Sequence, residues 1–313
     1  MILLKFSASC GFFAAMVAHR FLFVVIVSVM FASSSTFALG RTLPFDTVFV
    51  GERKFERLLD QARRENWAEL PIAARTARVG VALRGTPYKS YTLEIDDHIE
   101  APSVNFNGMD CWTFFEISLA FARMLDEQPQ KQNPQTMLEY IELDRYRGGD
   151  CDGSYLSRLH YLEDWLYDND RRGLVDDLTR KLGGVPARHV AREMTAGWKH
   201  YRYLRNNRDL LAPLGSMERQ VTARGMYHIP KSRVPGIESE LRNGDIIGIT
   251  SHDGRYIGTS HVGLAYRTRD GVLRFMHASS PRNYGKVVVD SRLSAYLNRF
   301  SSHAGILVAR PIR

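Results

Sequence analysis

The chain is poor in cysteine, with only Cys10, Cys111 and Cys151 among 313 residues. No two cysteines form a C-x-x-C pair and no two histidines form an H-x-x-x-H pair, so the sequence lacks a compact zinc motif. Internal repeats, low-complexity tracts and Pro/Gly-rich linkers are missing as well. These absences exclude repeat architectures and flexible multidomain chains, and they favour one domain over residues 39–313.

The longest uncharged apolar stretch lies near the N-terminus, at residues 21–32, after the basic residues Lys5 and Arg20. It is short for a transmembrane helix, and Thr36 and Ala38 fit the minus-three and minus-one positions of a signal-peptidase site. We therefore predict that residues 1–38 are a signal peptide and that the protein is periplasmic. An uncleaved membrane anchor is the alternative, if the earlier apolar patch at residues 12–17 acts together with this run.

The net charge of +8 falls by two when Lys5 and Arg20 leave with the signal peptide, because that segment holds no acidic residue. An exported protein seldom meets nucleic acid, so we expect no nucleic-acid partner. A modest basic excess fits an anionic cell-envelope polymer, or simply a solvated surface.

The hydrophobic periodicity changes along the chain from helical to strand-like. Helices are predicted at residues 55–67, 71–83, 111–125, 134–146, 155–167, 188–213 and 291–300. Short strands are predicted at residues 245–250, 261–266, 272–277, 286–290 and 304–309. The order predicts an α+β fold in which a helical N-terminal half packs on one face of a mainly antiparallel sheet.

The segment from Gly108 to Cys111 has the features of a helix start that carries a nucleophile. Asp110 is a preferred N-cap residue, which makes Cys111 the first residue of the apolar helix that follows. A thiol at this position lies in the positive field of the helix N-terminus, which lowers its pKa and favours the thiolate. The unpaired N–H groups of the first turn can also hold the oxyanion of an acyl-transfer intermediate.

Two histidines are predicted to meet through a hairpin. His261 begins one strand, His277 ends the next, and Asp270-Gly271 lies between them as a turn. This geometry brings both imidazoles to one place. A cysteine, a base and a second histidine that orients the base form a nucleophile–base–orienter chain.

Several ordered segments between about residue 80 and the C-terminus carry a family resemblance. They are Gly85-Thr86-Pro87-Tyr88, Asp110-Cys111-Trp112-Thr113-Phe114-Phe115-Glu116, Tyr155-Leu156-Ser157-Arg158-Leu159-His160-Tyr161, Ile229-Pro230-Lys231, Asn243-Gly244-Asp245-Ile246-Ile247, Ser260-His261-Val262-Gly263 and His277-Ala278-Ser279-Ser280. With them the chain resembles the NlpC/P60 papain-like fold and, more closely, its DUF1460 branch of N-acetylmuramoyl-L-alanine amidase-like proteins. Residues 188–223 match that pattern poorly.

The resemblance implies a hydrolase that cuts the amide between the lactyl group of N-acetylmuramic acid and L-Ala in peptidoglycan fragments, without a metal or other cofactor. Cys111 matches the nucleophile, His261 the base and His277 the orienting residue. The positions expected to contact substrate are Tyr88, Trp112, Tyr155, Arg158 and Ser260. Trp112 replaces a small residue of the family pattern and would narrow the pocket. Arg158 is expected either to pair with a substrate carboxylate or to form a structural ion pair.

Three alternatives stay open. A D,L-endopeptidase that cuts after γ-D-Glu in the same stem peptide would use the same three catalytic residues. A zinc protein would use Cys111, Cys151, His261 and His277. A catalytically inactive wall-binding module would have no need of the complete cysteine–histidine–histidine set.

Overall fold

The computed structural model describes residues 43–312. The predicted signal peptide and its cleavage site therefore lie outside the described residues. The residues that are described fall in one compact unit. No helix within them is long and apolar enough to cross a membrane.

Helices dominate the first half of the described chain. The longer helices of the first half are α1 (Glu52–Arg64), α2 (Ile72–Ala82), α3 (Cys111–Met124), α4 (Pro134–Arg145) and α5 (Leu162–Arg171). The second half adds α6 (Leu211–Arg224) and α7 (Leu293–Arg299). Residues that suit helix N-termini precede several of them. Pro71 stands before α2, and the Asn133 side chain accepts a hydrogen bond from the Thr136 N–H at the start of α4.

Helix α3 lies at the centre of the molecule. Every residue from Thr113 to Met124 is buried, including four charged or hydroxyl side chains. A helix that is buried all round must have packed elements on every side. It contacts α2, α4 and the sheet, so the position of Cys111 at its first residue is set by the core of the protein.

The sheet is antiparallel, and all of its strands lie between Val175 and Pro311. Its strands are β3 (Val175–Asp177), β4 (Val185–Ala187), β5 (Met226–Pro230), β6 (Ile246–Asp253), β7 (Tyr256–Arg267), β8 (Leu273–Ala278), β9 (Val287–Arg292) and β10 (His303–Pro311). Their order is β4-β5-β10-β6-β7-β8-β9, and β3 also pairs with β10. The short strands β1 (Phe49–Val50) and β2 (Val104–Asn105) form a separate parallel pair.

Both faces of the sheet are covered, which differs from the predicted single covered face. Leu264 and Met276 point into the core shared with α2 and α3, whereas Ala265 and Phe275 point into a second core with α7. This alternation follows from the two-residue period of a strand. Gly80 of α2 lets the first layer approach closely, since a Cβ there would lie 2.7 Å from the Met276 Cε.

Three other predictions differ from the structure. The predicted helix at residues 155–167 is a short 3-10 turn, Tyr155–Ser157, followed by α5, which begins only at Leu162. The predicted helix at residues 188–213 is instead a series of short helical pieces, Glu193–Ala196, Trp198–His200, Arg202–Asn206 and Arg208–Leu210, that leads into α6. His261 lies inside β7 and does not begin it, because the β6–β7 hairpin extends both strands past the predicted ends.

Candidate active site

Cys111 is the first residue of α3, as the sequence predicts. The Thr113 N–H donates to the Asp110 Oδ1 at 2.9 Å, and the Asp110 N–H donates to the Thr113 Oγ1 at 3.1 Å. This reciprocal capping box fixes the first turn of the helix. The turn before it is tied in place as well, because the Met109 N–H donates to the Pro87 carbonyl at 3.1 Å.

The pKa of the Cys111 thiol lies above its ordinary value, which contradicts the lowered pKa expected from the helix N-terminus. Burial and the neighbouring Asp110 carboxyl raise this pKa to about 12, although the backbone N–H groups of Val262, Cys111 and Trp112 favour the thiolate. Desolvation of the charged form outweighs the field of the helix here. The thiol is therefore protonated at neutral pH and requires a base.

The two predicted histidines are in contact. The His261 Nε2 lies 2.6 Å from the His277 Nδ1, and the ring planes are nearly perpendicular, at 88°. Gly263, two residues after His261, lets β7 lie close to β8 here, because a Cβ at that position would lie 2.4 Å from the Met276 carbonyl oxygen and 2.9 Å from the His277 Cβ. Burial lowers the pKa of both histidines, and for His261 the effect is strong. Both imidazoles are thus neutral at neutral pH.

Two features connect the histidines to the thiol. The N–H of Val262, the residue after His261, donates a hydrogen bond to the Cys111 sulfur that favours the thiolate. The Tyr296 ring packs 5.2 Å from the His277 ring, and the pKa of Tyr296 is raised by burial and, in part, by Cys111. The nucleophile candidate and the histidine pair therefore belong to one site.

Asp290, which the sequence analysis did not single out, extends this chain of side chains. Its Oδ2 lies 3.4 Å from the His277 Nε2, and Arg299 donates to both carboxylate oxygens, at 3.2 and 2.9 Å. Burial alone would raise the pKa of Asp290, but hydrogen bonds from His277, Arg299 and the Ser291 N–H together hold this pKa well below its usual range. Asp290 lies within the apolar strand β9, and only the pairing of β8 with β9 brings it to His277.

Beside the thiol is a cleft of about 380 Å³. Four of the five predicted substrate contacts line it together with Cys111, namely Tyr88, Trp112, Tyr155 and Arg158. Aromatic residues that were not predicted also line it, Tyr91 from the loop before α3 and Tyr201 from the segment after β4. Five of its fourteen lining residues are thus Tyr or Trp, and a concave site with several aromatic side chains and a few polar groups is typical of small-molecule sites.

Ser260, the fifth predicted contact, does not line the cleft. It is exposed on β7, where its hydroxyl pairs with the Ser251 Oγ at 2.7 Å and lies 3.3 Å from the Ile249 carbonyl oxygen. The β6–β7 register shifts at this point, with His261 opposite Ile249 and Thr259 opposite Thr250, so Ser260 is an extra residue without a partner in the pairing. The structure does not bring Ser260 to the cleft with the other four, and its role in substrate contact stays a prediction.

Arg158 is engaged within the protein. Its side chain is only 4% exposed and forms ion pairs with Glu94 at 3.3 Å and Glu100 at 3.5 Å, while its guanidinium lies 4.7 Å from the centre of the Tyr155 ring. Of the two expectations for this residue, the structural ion pair is the one observed. Its charge is already compensated by two carboxylates, which leaves little attraction for a substrate carboxylate.

The two cysteines of the described region are both free thiols and are not neighbours in space. Cys151 lines a different cavity, next to Glu142 and Pro102. In residues 43–312 no three histidine, cysteine, aspartate or glutamate side chains are grouped so that they could hold a metal ion. The four proposed zinc ligands are accordingly not brought together.

The fold and the cleft define a mixed α+β protein with a thiol at a helix N-terminus beside a histidine pair. A family model described as AmiA-like, N-acetylmuramoyl-L-alanine amidase-like, matches residues 78–306. The chain therefore belongs to this amidase-like family. No curated protein matches the chain.

Solved structures of the same fold come from several bacteria. An N-acetylmuramoyl-L-alanine amidase from Bacteroides uniformis is 28% identical with a TM-score of 0.69, over 77% of this chain and 99% of that one. A Bacteroides fragilis protein named a “putative xylanase” is 33% identical with a TM-score of 0.67, over 74% of this chain and 99% of that one. A Legionella pneumophila protein of the DUF1460 family, 21% identical over 84% of this chain and 95% of its own, shows the fold alone, with a TM-score of 0.64.

Proposed function

We propose that the protein is a cysteine amidase of the cell envelope that cuts the bond between the lactyl group of N-acetylmuramic acid and L-Ala in peptidoglycan fragments. The observation that carries this proposal is Cys111, which opens a buried helix, lines a cleft and adjoins the contacting pair His261 and His277. The amidase-like family and the Bacteroides uniformis amidase support the bond and the substrate class.

The chemistry starts from a neutral thiol and a neutral imidazole. His261 takes the thiol proton as the sulfur forms a bond to the lactyl carbonyl carbon, and the π electrons of the carbonyl move onto its oxygen. N–H groups at the start of α3 can stabilise that oxyanion. When the oxyanion collapses, the C–N bond breaks and the L-Ala nitrogen takes the proton from His261.

The resulting thioester is hydrolysed by the same groups. Water adds to the thioester carbon while His261 takes its proton, the C–S bond breaks, and the proton returns to the Cys111 sulfur. The free carboxyl group stays on the lactyl side. The cycle consumes one water and returns both Cys111 and His261 to their starting protonation states.

The papain-like NlpC/P60 relationship is part of the proposal. A cysteine at the start of a central helix and a histidine on a neighbouring antiparallel strand are the arrangement that this relationship requires. The observed α3, β7 and β8 have that order along the chain and pack against one another. The proposal includes export to the periplasm, supported by the apolar stretch and small residues of the N-terminal segment.

The test is hydrolysis of defined disaccharide-peptides by purified protein, with the products resolved by mass spectrometry. We expect free stem peptides that begin with L-Ala, and no cleavage of the same peptides without the muramyl group, because these lack the amide between the lactyl carbonyl and L-Ala. Cys111→Ala should abolish the reaction. Cys151→Ala is the matched control, since it removes the other free thiol, which lies outside the cleft, and it should keep full activity.

Two results would contradict the proposal. Wild-type turnover by Cys111→Ala would exclude the thiol mechanism. Efficient cleavage of a sugar-free peptide between D-Glu and the diamino acid would replace the amidase by the D,L-endopeptidase.

A further inference from the structure

We propose that Asp290 is a positioning residue that sets which ring nitrogen of His261 carries the proton, acting through His277. This inference rests on the proposed function, because it concerns the base of the same thiol. It assigns a role to a buried carboxylate that contacts His277 and is separated from His261 by that one side chain. Neither the sequence motifs nor the family resemblance points to this residue.

The geometry is a line of three side chains. The His261 Nε2 lies 2.6 Å from the His277 Nδ1, and the His277 Nε2 lies 3.4 Å from the Asp290 Oδ2. His277 and Asp290 are buried, with side-chain exposures of 2% and 3%. Phe275 stacks on the His277 ring at 4.6 Å and Tyr296 packs against its edge, which leaves the ring one orientation.

The directions of the hydrogen bonds follow from the carboxylate. An ionised carboxylate only accepts, so the His277 Nε2 must carry the proton that it donates to Asp290. A neutral His277 then has an unprotonated Nδ1, which accepts from the His261 Nε2–H. His261 is left with an unprotonated Nδ1, and this nitrogen is the one available to take the thiol proton.

Arg299 and the backbone hold Asp290 in the required state. The Ser291 N–H donates to the Asp290 Oδ1 at 2.6 Å, and Arg299 donates to both oxygens and to the Ser291 Oγ. Oδ1 thereby receives two strong donors, while Oδ2 faces His277. The carboxylate cannot rotate without losing these bonds. It therefore remains a hydrogen-bond acceptor toward His277, and this fixes which nitrogen donates in each hydrogen bond of the histidine pair.

The decisive variant is Asp290→Asn, compared with Asp290→Ala. In the asparagine the amide oxygen takes the Oδ1 position, where Ser291 and Arg299 donate, and the NH₂ group faces the His277 Nε2. Every hydrogen bond of the line is then reversed, and the His261 Nδ1 becomes protonated. We expect Asp290→Asn to lower kcat by at least about 10²-fold with little change in KM. Asp290→Ala leaves the proton of His277 free to occupy either ring nitrogen, so this variant should lose less activity than Asp290→Asn.

A purely structural role would give a different pattern. Asp290→Ala loses every side-chain hydrogen bond at this position, whereas Asp290→Asn keeps those at the Oδ1 position, so the melting temperature should fall at least as far in Asp290→Ala. Activity that only follows stability would then be lower in Asp290→Ala than in Asp290→Asn, the opposite of the order expected here. Nitrogen-15 NMR of the imidazoles supplies the direct readout. We expect an unprotonated Nδ1 on His261 in the wild-type protein and a protonated one in Asp290→Asn.

Three outcomes would overturn the inference: a protonated His261 Nδ1 in the wild type, full activity of Asp290→Asn, or activities of the two variants that track their melting temperatures. The wild-type NMR measurement decides the matter even if a variant fails to fold. Turnover by Cys111→Ala would instead contradict the proposed function, so the two failures are distinguishable.

Discussion

Replacing Arg158 with alanine is expected to destabilise the whole protein. The side chains of Arg158, Glu94 and Glu100 are 4%, 6% and 4% exposed, so the two ion pairs are buried. Removal of one partner leaves a buried carboxylate without its counter-charge, which costs about 3–5 kcal/mol. In a chain of this size that loss corresponds to a fall in melting temperature of roughly 6–15 °C.

The pH dependence of this loss identifies its cause. Burial raises the pKa of Glu100, and Arg158 opposes that rise. Without Arg158 the pKa of Glu100 rises further above its value in the unfolded chain. The destabilisation is therefore fully present at neutral pH and shrinks as the pH falls through the raised pKa, because the carboxyl group then becomes neutral in the folded protein.

Differential scanning calorimetry at several pH values measures both effects. Arg192→Ala is the matched control, since Arg192 pairs with Asp253 at 3.3 Å but both side chains are more than half exposed, and such pairs contribute about 0–1 kcal/mol. The double variant Arg158→Met with Glu100→Gln should recover much of the lost stability. A melting temperature for Arg158→Ala within about 2 °C of wild type would refute the buried-pair reasoning.

Two further predictions concern the reaction. His261→Gln should lower kcat/KM by about 10²–10⁴-fold, because it removes the general base. His277→Gln should retain partial activity, because glutamine can accept from His261 and donate to Asp290. Equal losses of the two variants in steady-state assays would contradict these roles. The acid limb of kcat/KM should lie well below pH 6.5, because burial and the neighbouring His277 lower the pKa of His261 and the base must be neutral. A half-maximal rate above pH 6.5 in the profile would contradict it.

The local signals of the sequence were sufficient for the start of α3 and for the histidine hairpin. The Asp110 cap is recognised from residues within one helical turn, and the apolar run follows directly after Cys111. The observed capping box confirms the predicted start of the helix. The turn at Asp270-Gly271 and the flanking apolar alternation place β7 beside β8, so contact between His261 and His277 follows from the register. Caps and turns act between near neighbours, which is why they can be recognised without a fold.

Other properties depend on residues that are far apart in the chain. Glu94 and Glu100 meet Arg158 only after folding, and Asp290 meets His277 only because β9 pairs with β8. The pKa of Cys111 likewise could not be predicted from its position at a helix N-terminus. The sequence by itself determined the helix and turn that present the thiol and the histidines, through interactions within a few residues. Only the tertiary structure decided the protonation of these groups, because desolvation and buried charge pairs arise from packing.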